Sequence, residues 1–116
     1  MKELKAYIRR ETVPEAVRRL QAAGAPGISI VEIHPVGYGY EPNYFETQFE
    51  DPYKRYSYLR VVKLEVVCRD ADADKLLGAI QEACRTGAPG DGIVFMTDIL
   101  QATRIRDGAS TEDILL

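Results

Sequence analysis

The hydrophobic pattern at the start of the chain has the period of a β-strand. Between residues 4 and 9, the apolar Leu4, Ala6 and Ile8 alternate with lysine, tyrosine and arginine. Alternation of this kind puts the apolar side chains on one face of an extended segment. We therefore predict a first strand with one buried face.

A helix is predicted next, over about residues 13–23. Apolar residues recur there at helical spacing until Gly24 ends the run. Thr12 and Glu15 have the T-x-x-E spacing of a capping box, and Pro14 lies in the first turn. The pattern thus predicts both ends of this helix.

Four further elements are predicted along the rest of the chain. Residues 28–37 (ISIVEIHPVG) and 60–69 (RVVKLEVVCR) are rich in β-branched residues and predict the second and third strands. A second helix is predicted from the acidic stretch 70–74 to near Arg85, because carboxylates favour a helix N-terminus and apolar residues continue at helical spacing. Residues 93–99 then predict the fourth strand.

The resulting order of elements is β-α-β, a long loop, then β-α-β. Two such halves form an α+β fold, the ferredoxin-like sandwich, in which one four-stranded antiparallel sheet carries both helices on one face. The opposite face is apolar enough at alternate positions to favour cover by a partner subunit. Residues 101–108 are expected to be a short extended piece before a loose polar tail.

Composition narrows the class of protein. The 116 residues suffice for a single domain over residues 1–116. A net charge of −3 argues against a nucleic-acid partner, since such proteins neutralise phosphates with basic side chains. Because no apolar run approaches the roughly 20 residues of a membrane span and no signal peptide is evident, we expect a cytoplasmic protein without membrane insertion.

The two cysteines, Cys68 and Cys84, lie far apart in the sequence. Neither belongs to a C-x-x-C pair or to a histidine cluster, so the spacing predicts neither a metal site nor a disulfide framework. Both are interpreted as small buried thiols.

The segment between the second and third strands is long and rich in aromatics. The predicted mobile loop spans about residues 38–58, which is longer than ordinary connections and has no sustained helical period. Exposed aromatics are enriched at the centres of interfaces, so the loop predicts a partner-binding surface, although half of these rings could instead pack the loop into a fixed hairpin. The rings assigned to the partner surface are Tyr40, Tyr44, Phe45, Phe49, Tyr53 and Tyr56.

A glycine-rich stretch, TGAPGDGIVF, covers residues 86–95. Dense glycine permits a tight turn and also lets backbone amides approach an anion. A P-loop runs strand, glycine loop, helix and ends in GK[ST], whereas the order here is reversed and the lysine is absent. Arg104 and Arg106 in TRIRDG add a second basic element, expected to project from one face of an extended segment and to suit phosphate.

These two motifs together carry a family resemblance. T-G-x-x-G-D-G-x-[IV]-F followed by R-I-R-x-G resembles the C-terminal signature of the PII (also written P-II) signal-transduction proteins. The resemblance runs from MKELKAYI to ATRIRDG and covers nearly the whole chain outside the long loop. It implies a ferredoxin-like homotrimer without enzymatic activity, which binds adenine nucleotides between subunits and signals to a transporter or enzyme through its long loop.

The resemblance also implies the nucleotide-binding residues of this chain. The glycine loop would hold phosphates, the arginine pair would reach them from the facing subunit, and a third group would line adenine and ribose. ADP, AMP or ATP is the implied ligand, with no further cofactor and no metal. The three groups are, in that order, Thr86, Gly87, Gly90, Asp91 and Gly92; Arg104 and Arg106; and Gly27, Ser29, Val36, Gly37, Glu65 and Val67.

The chain departs from the family pattern in several places. Ile93 stands where the family has a cation after GDG, and Val61 aligns with a second family lysine, with Arg60 as a shifted substitute. A family glutamine for magnesium and 2-oxoglutarate is replaced within the sequence GYG at 37–39, and KRYSY replaces the uridylylated YRGxEY motif. The chain therefore resembles divergent members linked to bicarbonate or metal transport, which favour ADP or AMP over ATP.

Three other functions are compatible with this order of elements or with the trimer. An acylphosphatase-type enzyme would need an asparagine beside its arginine loop, whereas Asn43 lies in the long loop. His34 lies before a proline, where a histidine is more often structural than a catalytic base. An RNA-recognition sheet needs aromatics on its central strands and a basic surface. A trimeric scaffold, or a binder of another small anion such as bicarbonate, stays open as the alternative.

Overall fold

The computed structural model describes residues 1–35 and 61–115. The long loop at 38–58, with its aromatic residues, and the predicted site residues Val36 and Gly37 lie outside this part of the chain. The helices and strands of the described part are β1 (Lys2–Arg9), α1 (Val13–Ala22), β2 (Ser29–Glu32), β3 (Val61–Cys68), α2 (Ala73–Cys84) and β4 (Gly92–Asp98).

The four strands form one antiparallel sheet in the order β2-β3-β1-β4. Leu4 in β1 lies opposite Val66 of β3 and Met96 of β4, so β1 is a central strand and β4 an edge strand. With its two helices, this sheet has the ferredoxin-like arrangement, and the predicted fold is confirmed.

The core lies between one face of the sheet and the two helices. Leu4, Ala6 and Ile8 are buried there, as the alternation in β1 predicts, against apolar residues of both helices such as Leu20 and Leu76. Cys68 and Cys84 are buried as well, and burial raises the pKa of both thiols. The interpretation of the cysteines as buried thiols is confirmed.

The opposite face of the sheet, which we call the outer face, carries both apolar and charged side chains. Ile93 and Phe95 of β4 are 47% and 48% exposed, and the rings of Tyr7 and Phe95 meet edge to face with centroids 5.9 Å apart. Beside them, the Lys63 ammonium lies 3.1 Å from the Glu65 carboxylate. This face is thus available to a partner along β4.

The predicted capping box at the start of α1 was wrong. A 3-10 turn over Arg10–Thr12 precedes the helix, and the Thr12 hydroxyl donates to the Arg9 carbonyl at 2.7 Å instead of capping α1. Glu15 instead accepts bonds from Arg18 and Arg19, which lower the pKa of its carboxyl to about 2. A second 3-10 turn, over Asp70–Asp72, precedes α2 in the same way.

The second strand is shorter than residues 28–37. It ends at Glu32, and residues 33–35 have no regular structure. Pro35 has no amide proton for a strand ladder, and β2 lies at the sheet edge, where pairing ends readily.

The C-terminal segment also differs from expectation. Residues 105–107 form a turn and not an extended piece. The Arg104 amide donates to the Ala109 carbonyl, and the Gly108 amide donates to the Arg104 carbonyl, both at 2.8 Å. Within the tail, Glu112–Ile114 forms a 3-10 turn. Within the described ranges, no helix is long and apolar enough to cross a membrane.

Candidate functional site

The glycine loop connects α2 to β4 and is organised around Asp91. The Asp91 carboxylate accepts the backbone amides of Thr86 at 2.7 Å and Gly87 at 2.9 Å, and it also accepts the Thr86 hydroxyl. These bonds, first among them the one from the Thr86 hydroxyl, lower the pKa of Asp91 to about 2. The Asp91 carboxylate thus occupies the first half of the loop and fixes its conformation.

The same loop is tied to the sheet by Arg9, a residue that the sequence analysis missed. Its guanidinium lies 3.2 Å from the Asp91 carboxylate and donates to the Pro89 carbonyl at 2.9 Å. Arg9 ends β1, so the strand positions the base of the loop. The only sequence signal was its place in the alternation of β1, on the same face as Tyr7 and Lys5.

Two glycines of the loop are required by its geometry. Gly92 has φ +116°, and a β-carbon there would lie 2.2 Å from the Tyr7 carbonyl oxygen. Gly90 has φ +96°, and its β-carbon would meet the Arg9 guanidinium at 2.9 Å. The close approach of the loop to β1 therefore requires glycine at Gly92, whereas at Gly90 it is the positive φ that favours glycine.

Three of the loop amides are already bonded within the loop. Asp91 takes those of Thr86 and Gly87, and the Ala88 amide donates to the Thr86 hydroxyl at 3.2 Å. The amides of Gly90 and Asp91 donate to no atom of residues 1–35 or 61–115. Any added anion would therefore meet the second half of the loop.

A cleft of about 550 Å³ lies beside the glycine loop. Its apolar wall comes from α2 and the sheet, including Leu77, Ile80 and Ile8, and its polar wall comes from the loop. Ile93, which directly follows the GDG motif, borders this cleft and is half exposed.

A second pocket of about 330 Å³ brings together four predicted residues, Gly27, Ser29, Glu65 and Val67. The sequence analysis did not predict its other lining residues, which come from the strand β1, the turn before β2 and the C-terminal segment. They are Glu3, Pro26, Ile114 and Leu115.

The glycine loop and the second pocket lie at opposite ends of β1. The loop contacts Tyr7 and Arg9, whereas the pocket is lined by Glu3. Glu3 lines the second pocket and Ile8 lines the cleft beside the loop. These two residues are five positions apart along β1, which corresponds to about 16 Å. One copy of the chain therefore does not bring all the predicted nucleotide-binding residues into one cavity.

The two predicted arginines lie on the segment that leaves the end of the sheet nearest the second pocket. The Ile99 amide donates to the Met1 carbonyl at 3.0 Å as this segment begins. Arg104 does not alternate with Arg106 along an extended chain, as predicted, because it folds back onto Asp107 with bonds of 3.0 and 2.6 Å. Arg106 lies within the same turn and is exposed.

Comparison with known proteins decides the family. The family model described as nitrogen regulatory protein P-II matches residues 1–109. The chain belongs to the P-II family. It is 36% identical over 113 residues to the nitrogen regulatory protein P-II of Cereibacter sphaeroides, covering 97% of this chain and 98% of that protein.

Two further P-II relatives show the same extent of similarity. The nitrogen regulatory protein P-II 2 of Methanothermobacter thermautotrophicus is 34% identical over 110 residues, which is 95% of this chain and 93% of that protein. The P-II protein of Azospirillum brasilense is 32% identical over 115 residues, which is 99% of this chain and all of that protein. Proteins of this family are regulators and not enzymes, which confirms the predicted class.

Proposed function

We propose that three copies of this chain assemble into a ring and bind adenine nucleotides in the clefts between copies. ADP and AMP are the preferred ligands, with ATP weaker. The glycine loop of one copy holds the phosphates, while the neighbouring copy supplies the second pocket for the base and ribose, together with Arg104 and Arg106. The observation that carries this proposal is the separation of these groups along β1 within one copy.

The exposed apolar side chains support assembly. Leu100 and Ile105, on the C-terminal segment, are 99% and 100% exposed, and Ile93 and Phe95 present a half-exposed apolar strip on β4. Large side chains with this exposure are typical of surfaces that meet a partner. Burying them against a second copy would stabilise the ring by the hydrophobic effect.

The charges of the two regions support a nucleotide more than a small anion. The second pocket contains the carboxylates of Glu3 and Glu65. Each lies near a lysine, Lys5 at 3.6 Å and Lys63 at 3.1 Å, and has further acceptor capacity for the amino group of a base. The glycine loop offers amides and lies near a guanidinium, which suits phosphate. One ligand with a base at one end and phosphates at the other matches both regions.

Titration calorimetry with ADP, AMP, ATP and bicarbonate tests this proposal. We expect saturable binding of ADP and AMP, with one site per chain, and no heat from bicarbonate. Binding of bicarbonate without adenylates would favour the alternative, a trimeric binder of a small anion. If none of the four ligands binds, the proposal is wrong and the trimeric scaffold is the remaining alternative.

The proposed output is control of a membrane transporter or a cytoplasmic enzyme through residues 40–56. The aromatic residues of this segment are the basis of the proposal. Capture of a transporter or enzyme by the full chain and not by a chain lacking residues 40–56 is the expected result. Equal capture by both chains would place the partner surface elsewhere.

A further inference from the structure

The C-terminal segment forms one wall of the second pocket. Ile114 and Leu115 line it opposite residues of the sheet, and both side chains are only partly buried. The backbone there forms a 3-10 turn. The Ile114 amide donates to the Thr111 carbonyl at 3.2 Å, and the Leu115 amide donates to the Glu112 carbonyl at 3.0 Å. The wall is thus ordered by local bonds.

Ion pairs attach this segment to the rest of the chain. The Glu112 carboxylate lies 3.3 Å from the Met1 amine, and the Asp113 carboxylate lies 3.3 Å from the Arg69 guanidinium. We call these two contacts the tail latch. Because Asp113 is 85% exposed and exposed ion pairs stabilise little, the latch can open at low cost.

The pocket behind the latch has the chemistry of a site for a planar ring. Val67 and Pro26 supply apolar surface on the sheet side, and Ile114 and Leu115 supply it on the tail side. Carboxylates and a hydroxyl, from Glu3, Glu65 and Ser29, supply the polar part. Glu3 and Glu65 already lie near Lys5 and Lys63, and an ionised carboxylate has several acceptor positions, so each can also accept a bond from an amino group on a ring.

We propose that residues 112–115 are a latched wall of the ligand site: Ile114 and Leu115 contact the face of an amino-bearing heteroaromatic base, and the tail latch controls how fast that base leaves. This inference rests on the proposed function, since it assigns specificity and regulation to the same pocket. Apolar contact on both ring faces selects a flat base, and the carboxylates select the amino group.

Two variants test the wall, with a matched control. The first lacks residues 112–116, and the second, Glu112→Gln with Asp113→Asn, removes the latch charges and keeps the apolar wall. The control, Glu82→Gln, removes the ion pair with Arg19 between α1 and α2, away from the pocket. AMP affinity is measured by calorimetry and the release rate by stopped flow with a fluorescent AMP analogue.

The expected effects differ between the variants. Truncation should weaken AMP binding roughly tenfold, because two apolar side chains no longer cover the base. The latch variant should release the analogue about three- to tenfold faster. The control should match the wild type, and unchanged affinity and release in both tail variants would overturn the inference while leaving nucleotide binding intact.

A second readout needs no nucleotide. Val67→Cys places a thiol in the pocket, and its rate of labelling by a thiol reagent reports how well the tail covers it. Faster labelling in the truncated and latch variants, at the same rate of labelling of the buried cysteines, supports the wall even if AMP does not bind. Equal labelling with and without the tail would contradict it.

Discussion

The guanidinium of Arg9 lies 3.2 Å from the carboxylate of Asp91, although the two residues are 82 positions apart in the chain. This contact joins the end of β1 to the glycine loop. The same carboxylate accepts the amides of Thr86 and Gly87, so the strand, the loop and its amides form one unit. The shape of the proposed phosphate site therefore depends on a residue outside the glycine motif.

Arg9→Ala should loosen the glycine loop without unfolding the protein. Its removal deletes the contacts to Asp91 and Pro89, so amide exchange at Thr86 and Gly87 should accelerate and ADP affinity should fall roughly fivefold. Hydrogen exchange and calorimetry measure the two effects. Arg10→Ala is the control, because Arg10 pairs with Glu32 and not with the loop. Equal loss of affinity in both variants would mean that the contact with Asp91 has no special role.

The loop should open in acid. The pKa of Asp91 is lowered from its ordinary value of 3.8 to about 2, so its contribution to stability is present above about pH 4 and is lost as the pH falls through 2. Glu15 titrates in the same range, so a local probe is needed. The amide resonance of Gly87 should shift with a midpoint near pH 2 in the wild type and stay constant in Asp91→Asn. A midpoint near pH 4 in the wild type would contradict the loop geometry.

Arg104→Ala and Arg106→Ala should each weaken nucleotide binding and leave assembly intact. Each removes a charge-assisted contact to phosphate worth about 1.5–3 kcal/mol, which is roughly ten- to a hundredfold in affinity. Asp107→Asn is the control, since it weakens the internal partner of Arg104 but keeps both guanidiniums. Titration of ADP compares them, and unchanged curves for both alanine variants would assign the arginines another role.

Ile93→Lys should shift the preference from ADP toward ATP. Ile93 is half exposed beside the glycine loop and offers no donor to a third phosphate, whereas a lysine there could reach it. The gain expected for ATP is on the order of 1.5–3 kcal/mol. Ile93→Met serves as the uncharged control in competition titrations. A wild type that already prefers ATP tenfold would contradict the reasoning.

The sequence predicts burial correctly where it depends only on the local hydrophobic pattern. The alternation in β1 fixed which side chains are buried, because a strand has only two faces. The predicted cap at Thr12 is wrong because a 3-10 turn precedes α1, and the sequence has no signal for that turn. The bonds of Asp91 to the loop amides, the clamp by Arg9 and the wall formed by Ile114 and Leu115 depend on contacts between distant segments, for which the sequence carries no local signal.

The central claim is that each nucleotide site takes its glycine loop from one copy and its arginines from the next. Two inactive variants test it in mixed trimers. Ala88→Asp places a negative charge in the glycine loop, at a cleft-lining residue whose φ is negative, so that a side chain there is not strained. The second variant carries Arg104→Ala and Arg106→Ala.

The decisive measurement is ADP binding after subunits of the two variants are exchanged in equal amounts. Three quarters of random trimers are mixed, and each contains one site with both parts intact, so about a quarter of the wild-type sites should return. Each variant alone should remain inactive. If mixing restores no binding although light scattering and mass spectrometry show mixed trimers, the site does not lie between copies and the account is wrong.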